Sequence, residues 1–154
     1  MTLNNGIDRQ SQAVIASQLK NILADSITLY ALTQNVHWNV TGPLFQSVHA
    51  MTEDHYLELA TAIDDIAERI RALDVKVPLD LSGHKSEGHS VLTENSDAKE
   101  MVEALVRAHE TLARGLRASI STAADASDEV TAGLLTDRLT IHEKTAWMLR
   151  ALLQ

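Results

Sequence analysis

The residues of this chain whose types and spacing best suit chemistry are one histidine and three carboxylates on a single predicted helix. At about 100° per residue they fall within roughly 100° of one another around the helix axis, so they share one face. Imidazole and carboxylate groups together suit iron, whereas any lone pair of them would more simply form a solvated acidic stripe. A further histidine favours a metal site, because a short hairpin brings it beside the first. The helix residues are His49, Glu53, Asp64 and Glu68, and the further histidine is His37.

The length of this helix limits how such a site can be built. His49 and Asp64 are about fifteen residues apart, which at 1.5 Å per residue is about 22 Å, far beyond a metal–ligand bond of about 2 Å. One chain therefore cannot close one site with both groups. If the helix packs antiparallel against its copy about a two-fold axis, the histidine end of one chain meets the carboxylate end of the other. The two-fold axis would then lie beside the point of the helix midway between its two pairs of ligands, near residues 58 and 59.

Four segments with helical periodicity must position these groups. Apolar spacing predicts helices over about 8–37 and 46–73, with an NVTGP turn between them. Start signals predict a third helix over about 96–121 and a fourth from 127 to the end of the chain. Residues 74–95 form a long crossover that we expect to contain a short extra helix. This order predicts an all-α, ferritin-like four-helix bundle.

The composition favours one acidic helical domain over residues 1–154. Thirteen Lys and Arg against twenty-one Asp and Glu give a net charge of −8, with 45% hydrophobic residues, no cysteine and two prolines. An acidic surface concentrates cations and repels nucleic acid. No apolar run approaches the ~20 residues of a membrane span, and the first residues lack a leader pattern, so we expect a cytoplasmic protein without a membrane partner.

The common di-iron motif of helical bundles is missing. That motif places Glu-x-x-His on two helices of one chain. No glutamate of this sequence is followed by histidine three residues later. This argues against an ordinary ferritin or bacterioferritin centre and favours a centre shared between chains.

The stretch NVHWNVTGPLFQSVHAMTEDHYLELATAIDDIAER, residues 35–69, resembles the Dps family, the DNA-protection-during-starvation or miniferritin proteins. The specific features are an HW pair, a second histidine twelve residues after the first, and a later D-x-x-x-E-R. The resemblance implies a ferroxidase centre with ligands from two subunits. One subunit supplies His37 and His49, and the other supplies Asp64 and Glu68.

Two neighbours of these ligands have open roles. Glu53 stands where the family often has Asp, and its longer side chain permits either direct ligation or a contact through water. Trp38 matches a family tryptophan near the iron site, where it can take up oxidising equivalents. The alternative for Trp38 is a half-buried loop aromatic.

The resemblance also implies a hollow dodecamer, built from two-fold dimers, in which ferric mineral accumulates. Hydrogen peroxide is the usual oxidant of Fe(II) in this family, and dioxygen is slower. By the same resemblance, Asp128 and Asp137 are possible acids of an iron-entry pore, with Gly133 where many relatives have Asp. Helix capping or a solvated face is the alternative for both acids.

Several other residues are expected to be structural. His109 and His142 have apolar neighbours, which is typical of histidines hydrogen-bonded in a core or an interface. Arg69 is expected to pair with an acid. His55 and Glu58 are expected at dimer contacts.

DNA binding is expected to be weak or absent. DNA-binding relatives use tails rich in Lys and Arg, whereas residues 1–10 hold one basic residue, Arg9. We therefore interpret the chain as a ferroxidase and iron-storage protein that protects the cell from oxidative damage. A nonenzymatic helical shell or scaffold, and a DNA-compacting nucleoid protein, are the alternatives.

Overall fold

The computed structural model describes residues 4–81 and 91–154, and this part of the chain contains four long α-helices and no strand. The all-α four-helix bundle predicted from the sequence is confirmed. The third helix continues four residues beyond its predicted end at 121. The helices are α1 Arg9–Asn39, α2 Phe45–Ala72, α3 Ala98–Asp125 and α4 Glu129–Ala151.

The crossover between α2 and α3 is described only at its two ends. Residues 74–81 and 91–95 contain no helix. The rest of the segment in which we expected a short extra helix lies outside the described residues.

Three of the four helices begin at an aspartate cap. Asp8 accepts a hydrogen bond from the backbone of Ser11, and Asp128 accepts one from the backbone of Thr131. Asp97 forms a reciprocal capping box with Glu100. Each cap satisfies a helix N–H that lacks a partner within the helix, so the sequence fixes where these helices begin.

The core is formed where α1 packs against α2 and α3, and where α3 packs against α4. Each helix contributes a stripe of fully buried aliphatic side chains, and burying one such side chain contributes roughly 1.5–3 kcal/mol. None of the described helices has the length and hydropathy of a membrane span. Representative core residues are Leu19, Leu29, Leu59, Ile66, Leu105, Leu112, Leu135 and Leu149.

Two ion pairs connect α2 to α4. Arg69 donates to Asp128 at 2.8 Å, which confirms that Arg69 pairs with an acid. Arg138, buried on α4, makes a two-pronged pair with Glu58. Glu58 is bound within its own chain by this pair, and the dimer contact expected for it stays a prediction.

Candidate metal centre

The two histidines of the candidate centre face each other where α1 ends and α2 begins. The rings of His37 and His49 are stacked, with centroids 3.8 Å apart and planes inclined by 15°. The turn between the helices makes this possible, because Gly42 adopts a positive φ of 80° that reverses the chain. The sequence prediction that a hairpin brings these residues together is correct.

Reciprocal hydrogen bonds fix both rings. The Nδ1 of His37 lies 2.8 Å from the carbonyl oxygen of His49, and the Nδ1 of His49 lies 2.9 Å from the carbonyl oxygen of His37. A carbonyl oxygen only accepts, so each Nδ1 carries the hydrogen. In the neutral ring the lone pair is then on Nε2, which is the arrangement found in metal-binding histidines.

Three side chains around the pair restrict its movement. Thr52 Oγ1 lies 3.3 Å from His37 Nδ1 and also donates to the backbone of α2. The Tyr56 ring meets the His37 ring edge to face at 5.3 Å, and Phe45 stacks on His49 at 5.0 Å. His37 is buried and His49 is half-buried, so His49 is the more exposed of the two.

Asp64 and Glu68 lie apart from the histidines within one chain, because at least fifteen helical residues, or about 22 Å, separate them from His49. Glu53, Asp64 and Glu68 are exposed on α2. Within the described ranges, no three His, Asp or Glu side chains converge on a point that could hold a metal ion. One chain therefore brings together His37 and His49, with Glu53 one turn further along α2, but not Asp64 or Glu68.

Trp38 is 65% exposed beside His37. Trp38 is therefore more exposed than the half-buried loop aromatic that was its alternative. Its indole is open to a molecule or a second chain that approaches the centre.

The two proposed pore acids differ in their surroundings. Asp137 is exposed on α4. Asp128 is only 2% exposed, and its carboxylate is bound by Thr131 and Arg69. Burial raises the pKa of this carboxyl, but the hydrogen bonds from Thr131 and Arg69 outweigh burial and hold the pKa below its usual value. Of the two roles considered for Asp128, the structure favours the helix cap over an open pore wall.

Two residues near the functional region were not anticipated. Tyr56 lies seven residues after His49, and this two-turn spacing is a signal that could have placed its ring near the pair. Arg138 is a charged residue inside the bundle, and it has no local sequence signal because Glu58 is 80 residues earlier in the chain.

Comparisons with known proteins place this geometry in a family. A ferritin-like domain model matches residues 16–154. The curated protein "DNA protection during starvation protein 2" of Bacillus anthracis is 36% identical over 88% of this chain and 93% of its own length. This chain belongs to the Dps family. The resemblance noted in the sequence is thereby confirmed.

Solved Dps structures have the same fold. The Dps protein of Vibrio cholerae matches with a TM-score of 0.88 and 31% identity, over all of this chain and 98% of that one. That protein is described as a member of a broad superfamily of ferritin-like diiron-carboxylate proteins. A Dps protein of Bacillus brevis matches with a TM-score of 0.87 and 32% identity, over 94% of this chain and 98% of that one.

Membership of the Dps family sets the general function. Dps proteins are ferritin-like, and iron storage or DNA protection is the activity that the family supports. The superfamily also points to ferroxidase-type chemistry, with iron as the metal.

Proposed function

We propose that this Dps protein is a ferroxidase that oxidises Fe(II), preferably with hydrogen peroxide, and stores the ferric product inside a hollow dodecamer. The observation that carries the proposal is the His37–His49 pair, in which both Nδ1 atoms bond to the main chain, so that each neutral ring keeps its lone pair on Nε2. Imidazole nitrogen and carboxylate oxygen are suitable ligands for iron. Iron is here the substrate.

The proposed centre needs a second chain. His37 and His49, with Glu53 directly or through water, would act from one subunit. Asp64 and Glu68 would act from the partner. The inability of one described chain to gather three such ligands supports this division.

The exposed face of α2 suits contact with a copy of itself. Leu57 is 57% exposed, and Ala60 and Thr61 are exposed close to it. Leu59 is buried in its own chain, so near the expected axis beside residues 58 and 59 the exposed side chains would make the contact. Small and apolar side chains between Glu53 and Asp64 would let two α2 helices approach closely in antiparallel order.

The chemistry is a two-electron reduction of peroxide. Two Fe(II) each give one electron, one hydrogen peroxide accepts both, and with two protons it yields two waters. The protein's part is to hold Fe(II) with neutral imidazoles and anionic carboxylates, which favour the higher charge of Fe(III). Removing Fe(II) and peroxide together limits hydroxyl-radical formation. Trp38 lies beside the ligands, where it can give up an electron, and Asp137 is the proposed acid on the route by which iron enters.

A subunit-mixing experiment tests the shared centre. One chain carries His37→Asn and His49→Asn, and the other carries Asp64→Asn and Glu68→Gln. Each chain alone should oxidise Fe(II) no faster than buffer. A one-to-one mixture assembled together should recover about one quarter of the parental rate, because half the dimers are mixed and each of these has one intact site of two.

The mixing experiment also identifies the alternatives. No recovery in a correctly assembled mixture would contradict a centre shared by two chains. Wild-type protein that assembles yet leaves peroxide-driven Fe(II) oxidation at the buffer rate would instead be the nonenzymatic shell. Light scattering on the same samples tests the dodecamer.

A further inference from the structure

The bundle contains a second group of histidines, none of which is a proposed ligand of the candidate metal centre. His55 on α2, His109 on α3 and His142 on α4 approach one another, with ring centroids 6.2 Å apart for His55 and His109 and 5.1 Å apart for His109 and His142. His109 is 3% exposed and His142 is 1% exposed. Their Nδ1 atoms are 2.9 Å apart, which is a hydrogen bond between two imidazoles.

The direction of this hydrogen bond follows from its neighbour. Arg138 Nη2 lies 3.4 Å from His142 Nε2, and a guanidinium can only donate. His142 Nε2 therefore accepts, so the hydrogen of its neutral ring is on Nδ1 and is donated to His109 Nδ1. An additional proton on either ring would place N–H against N–H, or N–H against the guanidinium. The arrangement thus accommodates two neutral imidazoles and has no place for an imidazolium.

The pair is close to solvent at one side. A groove of about 430 Å³ between α3 and α4 is lined by both histidines. Its other polar lining residues are Glu110, Arg114, Glu143 and Arg150. Small openings between α3 and α4 along this groove would let protons reach the rings without loss of the whole fold.

Positive or titratable groups next to the pair also oppose its protonation, above all Arg138 and His55. Arg138 is on α4, and its partner Glu58 and His55 are on α2. Along α1, the one buried titratable side chain in the described ranges is His37, at the candidate metal centre. The Glu110–Arg150 pair at the groove rim is internally balanced. Burial is the largest cause that lowers the pKa of both histidines, and the neighbouring charged and titratable groups add to it. The pKa of His109 is well below its usual value, and the pKa of His142 is about 3.

We propose that the His109–His142 hydrogen bond is an acid-sensitive latch, which joins α3 to α4 at neutral pH and opens the bundle along their groove in acid. Folding lowers the pKa of such a histidine, whose pKa in the unfolded chain is about 6.5. Above pH 6.5 the histidine does not change the stability of the protein, and below that pH it lowers the stability progressively. For His142 the loss continues down to about pH 3. Each imidazole reduces the folding equilibrium constant by up to about tenfold per pH unit, and the pair by up to about 100-fold.

The first test replaces the pair by side chains that do not titrate. In the double variant H109Q/H142Q an amide can donate and accept in place of each imidazole. Urea midpoints of metal-free protein are measured between pH 7.5 and pH 4.5 in chelator, so that bound iron does not contribute. Wild type should lose stability steeply below about pH 6.5, and the double variant should have a much flatter dependence.

Leu112→Ala, also in the core, is the matched control. It removes buried apolar surface without a titrating group, so it should lower the midpoint by a similar amount at every pH and keep the wild-type slope. An equal slope in H109Q/H142Q and wild type would overturn the latch.

A second measurement needs no variant and keeps the test decisive if the double variant does not fold. Native and urea-unfolded wild type are titrated side by side at pH 5.5. Through the two latch histidines the unfolded chain should bind about 1.8 more protons than the native chain, because each is about nine-tenths protonated when unfolded and neutral when folded. A difference close to zero would overturn the proposal.

Discussion

The ring of His37 and the ring of His49 are stacked, and each ring also hydrogen-bonds to the main chain of the other residue. Each Nδ1 donates to the carbonyl oxygen of the other residue, at 2.8 and 2.9 Å. The two bonds pin the end of α1 to the first turns of α2 and leave both Nε2 atoms free. Structure and proposed metal ligation therefore use different atoms of the same two rings, and they can be separated by substitution.

His49→Asn should remove the proposed metal ligand and keep the hydrogen bond to the His37 carbonyl oxygen. The Asn amide nitrogen lies near the position of Nδ1 and can donate to the His37 carbonyl, but no atom replaces Nε2. We expect helix content to be unchanged, anaerobic Fe(II) affinity to fall by about tenfold or more, and peroxide-driven oxidation to slow accordingly. Calorimetric titration and absorbance kinetics measure the two. Parental affinity in this variant would contradict ligation by His49.

Asp64→Asn should act on oxidation and not on stability. Asp64 is exposed, so its substitution should change the free energy of unfolding by less than about 0.5 kcal/mol. The rate of Fe(II) oxidation should nevertheless fall at least about tenfold because a charged ligand is lost. Asp65→Asn is the control, since Asp65 is also exposed but is rotated by about 100° around α2. Equal rates for the two variants would argue against the assignment.

Trp38 should report on iron at the proposed centre. The chain has two tryptophans, Trp38 and Trp147, and both are exposed in one chain. In a Trp147→Phe background, Fe(II) followed by peroxide should quench the fluorescence of Trp38, which adjoins a proposed ligand. In a Trp38→Phe background, Trp147 should be quenched much less. Similar quenching in both backgrounds would place the iron elsewhere.

Much of the fold could be predicted because its signals are local. The caps at Asp97 and Asp128, and the NVTGP turn, mark helix ends within a few residues of sequence. The proximity of His37 and His49 could also be predicted, because a hairpin with so short a link leaves little choice. The hydrogen bonds between each ring and the other residue's carbonyl oxygen could not be predicted, since they depend on side-chain rotamers and on the positions of the carbonyl groups.

The buried arginine illustrates the limit of sequence reasoning. Arg138 has the spacing of an ordinary helix residue, and only packing shows that it lies inside the bundle against Glu58 and His142. Asp128 is a similar case. Its sequence context suits a cap or a pore equally, and the distinction needs its burial and its contact with Arg69.

Asp128→Asn should destabilise the bundle in a pH-dependent way. The amide can still cap α4 but loses the charged pair with Arg69, so the free energy of unfolding should fall by about 1–3 kcal/mol at pH 7. Because folding lowers the pKa of Asp128 from 3.8, its contribution is complete above that value and is lost as the pH falls through the folded pKa. The difference from wild type should therefore shrink below about pH 4. Urea titrations check this, with exposed Asp137→Asn as a control expected to match wild type at every pH.

Arg138→Gln tests whether the Arg138–Glu58 ion pair influences the histidine latch. Burial is the first cause of the low pKa of His142, and the Arg138 charge is the second, so removing the charge should raise that pKa above about 3. At pH 7 the variant should lose about 1–2 kcal/mol because Glu58 is left without its partner, and it should lose less stability than wild type on acidification. Histidine NMR titration and urea unfolding measure the two effects. Lys99→Gln removes an exposed pair with Glu103, neither of which lines the groove, and should change neither by a measurable amount. An unchanged His142 pKa in Arg138→Gln would show that burial alone keeps this imidazole neutral.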